Sequence, residues 1–264
     1  MARSARIQVC GRVRVEVDGV RRDDLLPGPQ GRRALAFLVV RRHDPVSRDA
    51  LVDALWSAGP PASVDAAVHA LVSKLRRVVP IAADRVGLRL ELPPGAWVDI
   101  EAARDSLHRA ESALARGDWG RAWGAAQTAL FTARRGFLPG EAADWADGVR
   151  AELELIHQRA LEAYATAALG IGRTESPTAE RAGRELVGLA PFRESGHRLL
   201  MRALAAQGNS AEALRVYEAL ARRLREELGV APGEETRALH AQVLAGLFGS
   251  ADELNSPGTK RSRS

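Results

Sequence analysis

The segment SVDAAVHALVSKLRRVV, residues 63–79, decides the interpretation of the N-terminal third of the chain. Its apolar residues recur at the spacing that places side chains on one face of an α-helix. They are Val64, Val68, Leu71, Val72, Leu75 and Val79. The opposite side carries Asp65, short residues, a histidine and cations. The segment therefore predicts an amphipathic helix over 63–79 that ends before Pro80.

The flanking segments supply the other elements of a small α+β domain. Residues 7–26 alternate apolar with polar around Asp18-Gly19, which predicts short strands joined by a hairpin turn. Two helices are predicted before residue 63, one over 31–43 and one that begins after Ser47 as N-cap. Residues 81–92 predict a β-hairpin. Strands, three helices and a hairpin within residues 1–95 describe a winged helix-turn-helix, with 63–79 as its recognition helix and the hairpin as its wing.

The rest of the chain predicts helices alone. Segments rich in Ala, Leu, Glu and Arg indicate helices at about 99–116, 119–134, 142–170, 177–189, 193–207, 210–227 and 234–247. The stretch Gly117-Asp118-Trp119 resembles Gly208-Asn209-Ser210, and each is followed by a helix with alanine at the sixth position, as in tetratricopeptide repeats. The predicted fold is mainly α: an N-terminal α+β winged helix-turn-helix (1–95), an all-α TPR-like repeat domain (99–248) and a disordered tail (249–264).

Composition restricts the class of protein. The chain has 264 residues and one cysteine, Cys10, which excludes an internal disulfide framework and a cysteine-based zinc site. No apolar run is long enough to span a membrane, and Met1–Arg6 does not lead into a signal-peptide core. These features predict a cytoplasmic protein without a membrane partner.

The basic charge lies in the predicted winged helix. Residues 1–95 carry 16 Lys and Arg against 10 Asp and Glu, whereas residues 96–264 carry 22 against 23. A basic small domain beside a near-neutral one suggests a polyanionic partner for the first. The same excess is also within the range that ordinary solubility requires, so charge alone leaves both interpretations open.

The helix over 63–79 carries the candidate DNA contacts. Small residues on its outer side would let it approach base edges, which His69 and Ser73 could reach by hydrogen bonds. The cations at its end and on the hairpin would meet phosphates or the minor groove. The candidate site residues are Ala66, His69, Ala70, Ser73, Lys74, Arg76, Arg77, Arg85 and Arg89. A cationic helix end also complements the helix dipole, and an exposed histidine is often only solvated.

Several motifs together resemble one bacterial family. They are Gly28-Pro29-Gln30-Gly31-Arg32-Arg33-Ala34-Leu35, Leu51-Val52-Asp53-Ala54-Leu55-Trp56, Pro60-Pro61-Ala62-Ser63, Val72-Ser73-Lys74-Leu75-Arg76-Arg77, Arg135-Gly136-Phe137-Leu138, Asp144-Trp145, Pro191-Phe192-Arg193-Glu194, Glu212-Ala213-Leu214-Arg215-Val216-Tyr217 and Glu227-Leu228-Gly229-Val230-Ala231-Pro232-Gly233. In order and spacing they resemble the SARP/AfsR-like regulators, which join an OmpR-type winged helix to a bacterial transcriptional activation domain (BTAD).

The resemblance implies a transcriptional activator that binds double-stranded DNA at promoter direct repeats as a homodimer or tandem pair, and that contacts RNA polymerase. It implies action at the nucleoid. The sequence departs from the family at the wing, where Gly87-Leu88-Arg89-Leu90 has leucine in place of tyrosine. Specificity could then depend more on DNA shape.

Other functions receive less support. The six histidines show no metal-ligand spacing, and no nucleophile elbow or phosphate-binding loop appears, so neither an enzyme nor a cofactor is expected. The main alternative is an interaction scaffold whose winged helix is a docking module that does not bind DNA. A repressor is a further alternative, because the position of the operator, not the sequence of the protein, sets the sign of regulation.

Overall fold

The computed structural model describes residues 4–56, 59 and 61–246. Within it the chain divides into two compact units. The first comprises the residues up to 106 together with 128–157, and the second comprises 107–127 together with the residues from 158 onwards. The predicted tail at 249–264 lies outside the described residues.

A four-stranded sheet begins the first unit. Its strands are β1 (Ala5–Gln8), β2 (Arg14–Val17), β3 (Val20–Arg21) and β6 (Trp97–Val98), in the order β3-β2-β1-β6. The predicted turn is confirmed: Asp18 and Gly19 both have positive φ, 52° and 77°, as a tight hairpin turn requires. β6 was not predicted. It pairs parallel with β1. The paired residues are about ninety positions apart, so no local sequence pattern indicates this strand.

Three helices follow the first strands. They are α1 (Gly28–Val40), α2 (Arg48–Leu55) and α3 (Val64–Leu75). The predicted cap of α2 is confirmed, since the Ser47 hydroxyl accepts a hydrogen bond from the Ala50 amide at 3.1 Å. The prediction that α1 spans 31–43 was about three residues late at both ends.

The predicted extent of α3 was wrong at its C-terminal end. The helix ends at Leu75, and the chain turns through residues 76–79. A residue before proline disfavours helical backbone, so Val79 before Pro80 does not continue the helix. The turn lets the adjacent side chains of Val78 and Val79 both enter the core.

A β-hairpin closes this part of the chain, as predicted. Its strands are β4 (Ile81–Ala83) and β5 (Leu88–Leu90), paired antiparallel. The Asp84 carboxylate accepts hydrogen bonds from the amides of Gly87, at 3.0 Å, and Val86, at 2.8 Å, which hold the turn and lower the pKa of Asp84.

The remaining elements are helices that lie close to the predicted positions. They are α4 (Asp99–Ala115), α5 (Trp119–Ala133), α6 (Asp147–Ile171), α7 (Ser176–Leu189), α8 (Glu194–Ala206), α9 (Ser210–Arg223) and α10 (Glu234–Leu244). The helix predicted from 142 starts only at Asp147, after a short 3-10 turn. The unit boundaries fall inside α4, α5 and α6.

The repeat motif is confirmed in the second unit. Gly117 and Gly208 have φ of 70° and 86°, so each ends a helix in the left-handed conformation that glycine favours. The next amide, of Asp118 or Asn209, then bonds back to a carbonyl of the preceding helix at 3.0 and 2.9 Å. The alanine four residues further on is fully buried in both copies. The helical arrangement is TPR-like.

Small residues allow the helices of the second unit to pack closely. Ala110, Ala126 and Ala163 form one buried cluster of α4, α5 and α6. At the contact of α7 with α8, a Cβ on Gly183 would lie 3.1 Å from backbone atoms of Leu200. Only 5% of the residues are aromatic, and close approach of the helix backbones compensates for the lack of large side chains.

Candidate nucleic-acid interface

Helix α3 has the two faces that the sequence predicts. Its inner face is buried at Val68, Leu71, Val72 and Leu75. The side chains of its outer face are all exposed, namely those of the predicted base-edge residues Ala66, His69, Ala70 and Ser73. An exposed face of short side chains above a well-packed inner row can approach another surface closely.

The five predicted phosphate-contacting cations are also exposed. Lys74 lies in the last turn of α3, Arg76 and Arg77 lie in the turn that follows, Arg85 lies in the hairpin turn, and Arg89 lies on β5. The expectation that Arg76 and Arg77 sit on the helix itself was wrong, because α3 ends at Leu75.

Arg76 has a structural contact that the sequence did not suggest. Its Nε donates a hydrogen bond to the carbonyl oxygen of Ile81 at 3.1 Å. The side chain therefore ties the end of α3 to the first strand of the hairpin. Replacing Arg76 would disturb this connection as well as remove a charge, so Lys74 and Arg77 are the cleaner probes of charge.

The hairpin is anchored to the linker between α1 and α2. The amide of Leu88 donates to the carbonyl of Val46, and the amide of Val46 donates to the carbonyl of Leu88, both at 2.8 Å. Backbone pairing thus holds the hairpin at Leu88, the residue that stands where the family pattern has tyrosine.

Val86 lies at the tip of the hairpin and is 66% exposed, a feature that the sequence analysis did not single out.

Glycine is required beside this anchor. A Cβ on Gly87 would lie 2.3 Å from the carbonyl oxygen of Val46. We expect Gly87→Ala to lower the free energy of unfolding by about 1–3 kcal/mol, because backbone must move to admit the methyl group. Urea unfolding measures this. Gly148→Ala is the control, since nothing lies within 4 Å of that helical position. Equal stability of the two variants would contradict the close approach.

A second pair of residues, missed by the sequence analysis, links α2 to α3. The Arg48 guanidinium forms an ion pair with the Asp65 carboxylate. Arg48 is the first residue of α2, and Asp65 lies in the first turn of α3, where it is 87% exposed. Their separation in sequence gives no periodic signal, so only the folded chain brings them together.

The segment after α5 packs on the N-terminal helices of the same unit. The Trp145 ring lies edge-on to Phe37 of α1, with centroids 4.9 Å apart, and its Nε1 donates to the carbonyl of Ala54 in α2 at 3.1 Å. Glu141 accepts from Arg32 and Arg33 at 2.8 and 2.9 Å. Burial would raise the pKa of Glu141, but the two guanidinium groups outweigh it and lower this pKa.

A buried carboxylate holds the start of the chain to α4. Asp99 is fully buried, and it accepts hydrogen bonds from the amides of Val9 and Cys10, both at 3.0 Å, and of Ile100 at 2.9 Å. Arg135 lies 3.3 Å away. Burial raises the pKa of the Cys10 thiol, so this thiol stays protonated and unreactive.

Within residues 4–56, 59 and 61–246, no group of three or more His, Cys, Asp or Glu is placed to hold a metal ion. Among the same residues, no helix is long and apolar enough to cross a membrane.

Comparison with known families and structures agrees with the resemblance seen in the sequence. Residues 98–244 match the model of the bacterial transcriptional activator domain, BTAD, which is more than half of the chain. The chain belongs to the BTAD family. The BTAD match covers α4 to α10 and begins at the last residue of β6.

The relatives of this BTAD protein are named regulators. It is 33% identical to the regulatory protein AfsR of Streptomyces coelicolor over 244 residues, 90% of this chain and 24% of AfsR. It is 30% identical to the transcriptional regulatory protein MoaR1 of Mycobacterium tuberculosis over 240 residues, 83% of this chain and 73% of MoaR1. The chain thus spans about a quarter of AfsR.

One solved structure has a similar fold. Mycobacterium tuberculosis EmbR, determined in complex with a low-affinity phosphopeptide, matches with a TM-score of 0.79 at 26% identity. The match covers 92% of this BTAD protein and 65% of the EmbR chain. The resemblance to SARP/AfsR-like regulators is therefore confirmed at the level of family.

Proposed function

We propose that this BTAD protein is a sequence-specific DNA-binding transcriptional regulator. Residues 1–95 act as a winged helix, in which α3 enters the major groove and the β4-β5 hairpin is the wing. The observation that carries the proposal is the exposed outer face of α3, which carries the short side chains of Ala66, Ala70 and Ser73 and is followed along the chain by five exposed cations. The family membership and the regulatory relatives support it.

Each part of the surface has a distinct role. Lys74, Arg76, Arg77 and Arg89 meet phosphates and set the register of the protein on the duplex. Arg85 contacts the DNA backbone or the minor groove from the wing. Ala66 and Ala70 let α3 come close to the bases, and His69 and Ser73 hydrogen-bond to base edges.

The resemblance to the SARP/AfsR-like regulators also implies a mode of regulation, which we include in the proposal. The protein acts as an activator in the cytoplasm, at the nucleoid. It binds promoter direct repeats as a homodimer or tandem pair, and the helices from α4 to α10 mediate self-association and contact RNA polymerase. Tandem binding would raise specificity above what a short-sided recognition helix provides.

The first test measures DNA affinity by fluorescence anisotropy over a salt series, with DNA from the promoter region of the gene itself. The double variant Lys74→Ala/Arg77→Ala should weaken binding to that DNA and reduce the slope of log K against log salt by roughly two, because two phosphate contacts are lost. Arg76 is left intact, since its contact with Ile81 is structural.

A matched double variant controls for the loss of charge. Arg202→Ala/Arg215→Ala removes two exposed cations from α8 and α9 and should leave the slope unchanged. Equal slopes for both double variants would reject α3 as the DNA-binding element. If wild type and variants bind all DNA equally weakly, a protein-docking role of the N-terminal domain takes precedence. If wild type does not bind its own promoter region at all, selection from genomic DNA decides between a distant operator and no operator.

A further inference from the structure

Asp65 places a negative charge on the proposed recognition surface. It is the only acidic residue of α3, and its side chain is 87% exposed. A carboxylate that faces the phosphates of DNA opposes the electrostatic attraction on which binding depends. It therefore weakens general affinity for DNA, although a carboxylate in the first turn also complements the helix dipole.

The position of Asp65 suits contact with bases. It lies in the first turn of α3, and recognition helices contact base edges mainly through their N-terminal residues. His69 is four residues further on and so lies on the same side of the helix. Ala66, next to Asp65, is too short to keep the helix away from the groove.

Arg48 holds the carboxylate in place. Its guanidinium pairs with Asp65 from the start of α2, an element whose position is set by the Ser47 cap and by the buried Leu51 and Leu55. Arg48 is 49% exposed, so the pair is accessible. The ion pair offsets the charge of Asp65 and restricts its rotamer before DNA arrives.

We propose that Asp65 is a specificity-determining residue that accepts a hydrogen bond from the N4 amine of a cytosine in the major groove, and that Arg48 is its positioning residue. A carboxylate can accept a hydrogen bond from this amine, whereas the N7 and O6 atoms of guanine are themselves acceptors and cannot pair with it. The inference rests on the proposed DNA-binding function. The competing explanation is that the pair only fastens α2 to α3.

The experiment selects binding sites from random duplex DNA with wild type and with Asp65→Asn. Wild type should select a site with cytosine at one position of each repeat. Asp65→Asn should lose about tenfold in preference for that cytosine and gain preference for adenine, because an amide can pair with the N6 and N7 atoms of adenine. Thermal unfolding of each variant verifies that it is folded.

Two further variants separate specificity from charge and structure. Arg48→Ala should reduce the discrimination at that position while leaving cytosine as the preferred base. Asp49→Asn, an exposed neighbour on α2, changes the net charge as Asp65→Asn does and should leave every base preference unaltered.

The outcomes are distinct. If wild type selects a site and Asp65→Asn selects the same site, or binds all DNA more tightly as Asp49→Asn does, then Asp65 only fastens helices or repels DNA and the inference is wrong. If wild type selects no sequence at all, the proposed function fails and the role of Asp65 fails with it.

Discussion

We expect Asp99→Ala to lower the free energy of unfolding by about 3–5 kcal/mol, the range typical of losing one partner from a buried, hydrogen-bonded ion pair. The carboxylate is fully buried and accepts from the backbone amides of Val9, Cys10 and Ile100. Removing it leaves these donors without an acceptor in a region that water does not reach.

The conservative variant distinguishes the acceptor from the charge. Asp99→Asn keeps the shape of the side chain, but its NH2 group faces the amide of either Val9 or Cys10, donor against donor. We therefore expect the free energy of unfolding to fall by about 2 kcal/mol. Arg135 is 36% exposed, so its guanidinium can recover solvent contact when the carboxylate is gone.

Urea unfolding followed by circular dichroism measures both variants. Asp105→Ala is the control, since Asp105 is exposed on the same helix and should change stability by less than about 0.5 kcal/mol. A loss at Asp99→Ala no larger than that of the control would show that the start of the chain does not depend on this carboxylate.

Trp145→Ala should cost about 2–4 kcal/mol, somewhat less than for a fully buried tryptophan because the side chain is half-buried. The ring packs edge-on against Phe37 and against Phe137, with the second pair of centroids 5.8 Å apart. Its Nε1 also satisfies the carbonyl of Ala54. The substitution removes two contacts with the first two helices, those with Phe37 and Ala54, and a third contact with Phe137 inside the segment after α5.

Trp145→Phe separates packing from hydrogen bonding. It retains an aromatic ring against Phe37 but loses the Nε1 donor, so we expect a loss of about 1 kcal/mol in urea unfolding. If Trp145→Ala is no more destabilising than Trp145→Phe, the aromatic contacts contribute little and the hydrogen bond carries the effect.

Local patterns in the sequence determined the elements and much of the exposed surface. The 3.6-residue spacing of Val68, Leu71, Val72 and Leu75 predicted which face of α3 is buried, because helix geometry links spacing directly to direction. The Ser47 cap, the Asp18-Gly19 turn and the glycine-ended repeat were predicted from the local backbone preferences of these residue types. The roles of the nine predicted DNA-contacting residues stay predictions.

Tertiary structure decided how distant residues act on one another. The end of α3 at Leu75, the contact of Arg76 with Ile81, the ion pair of Arg48 with Asp65 and the parallel pairing of β6 with β1 were not predicted. Asp99 and Trp145 likewise bind backbone atoms about ninety positions away. Such contacts have no period along the chain, since they depend on where separate elements pack and not on the order of neighbouring side chains.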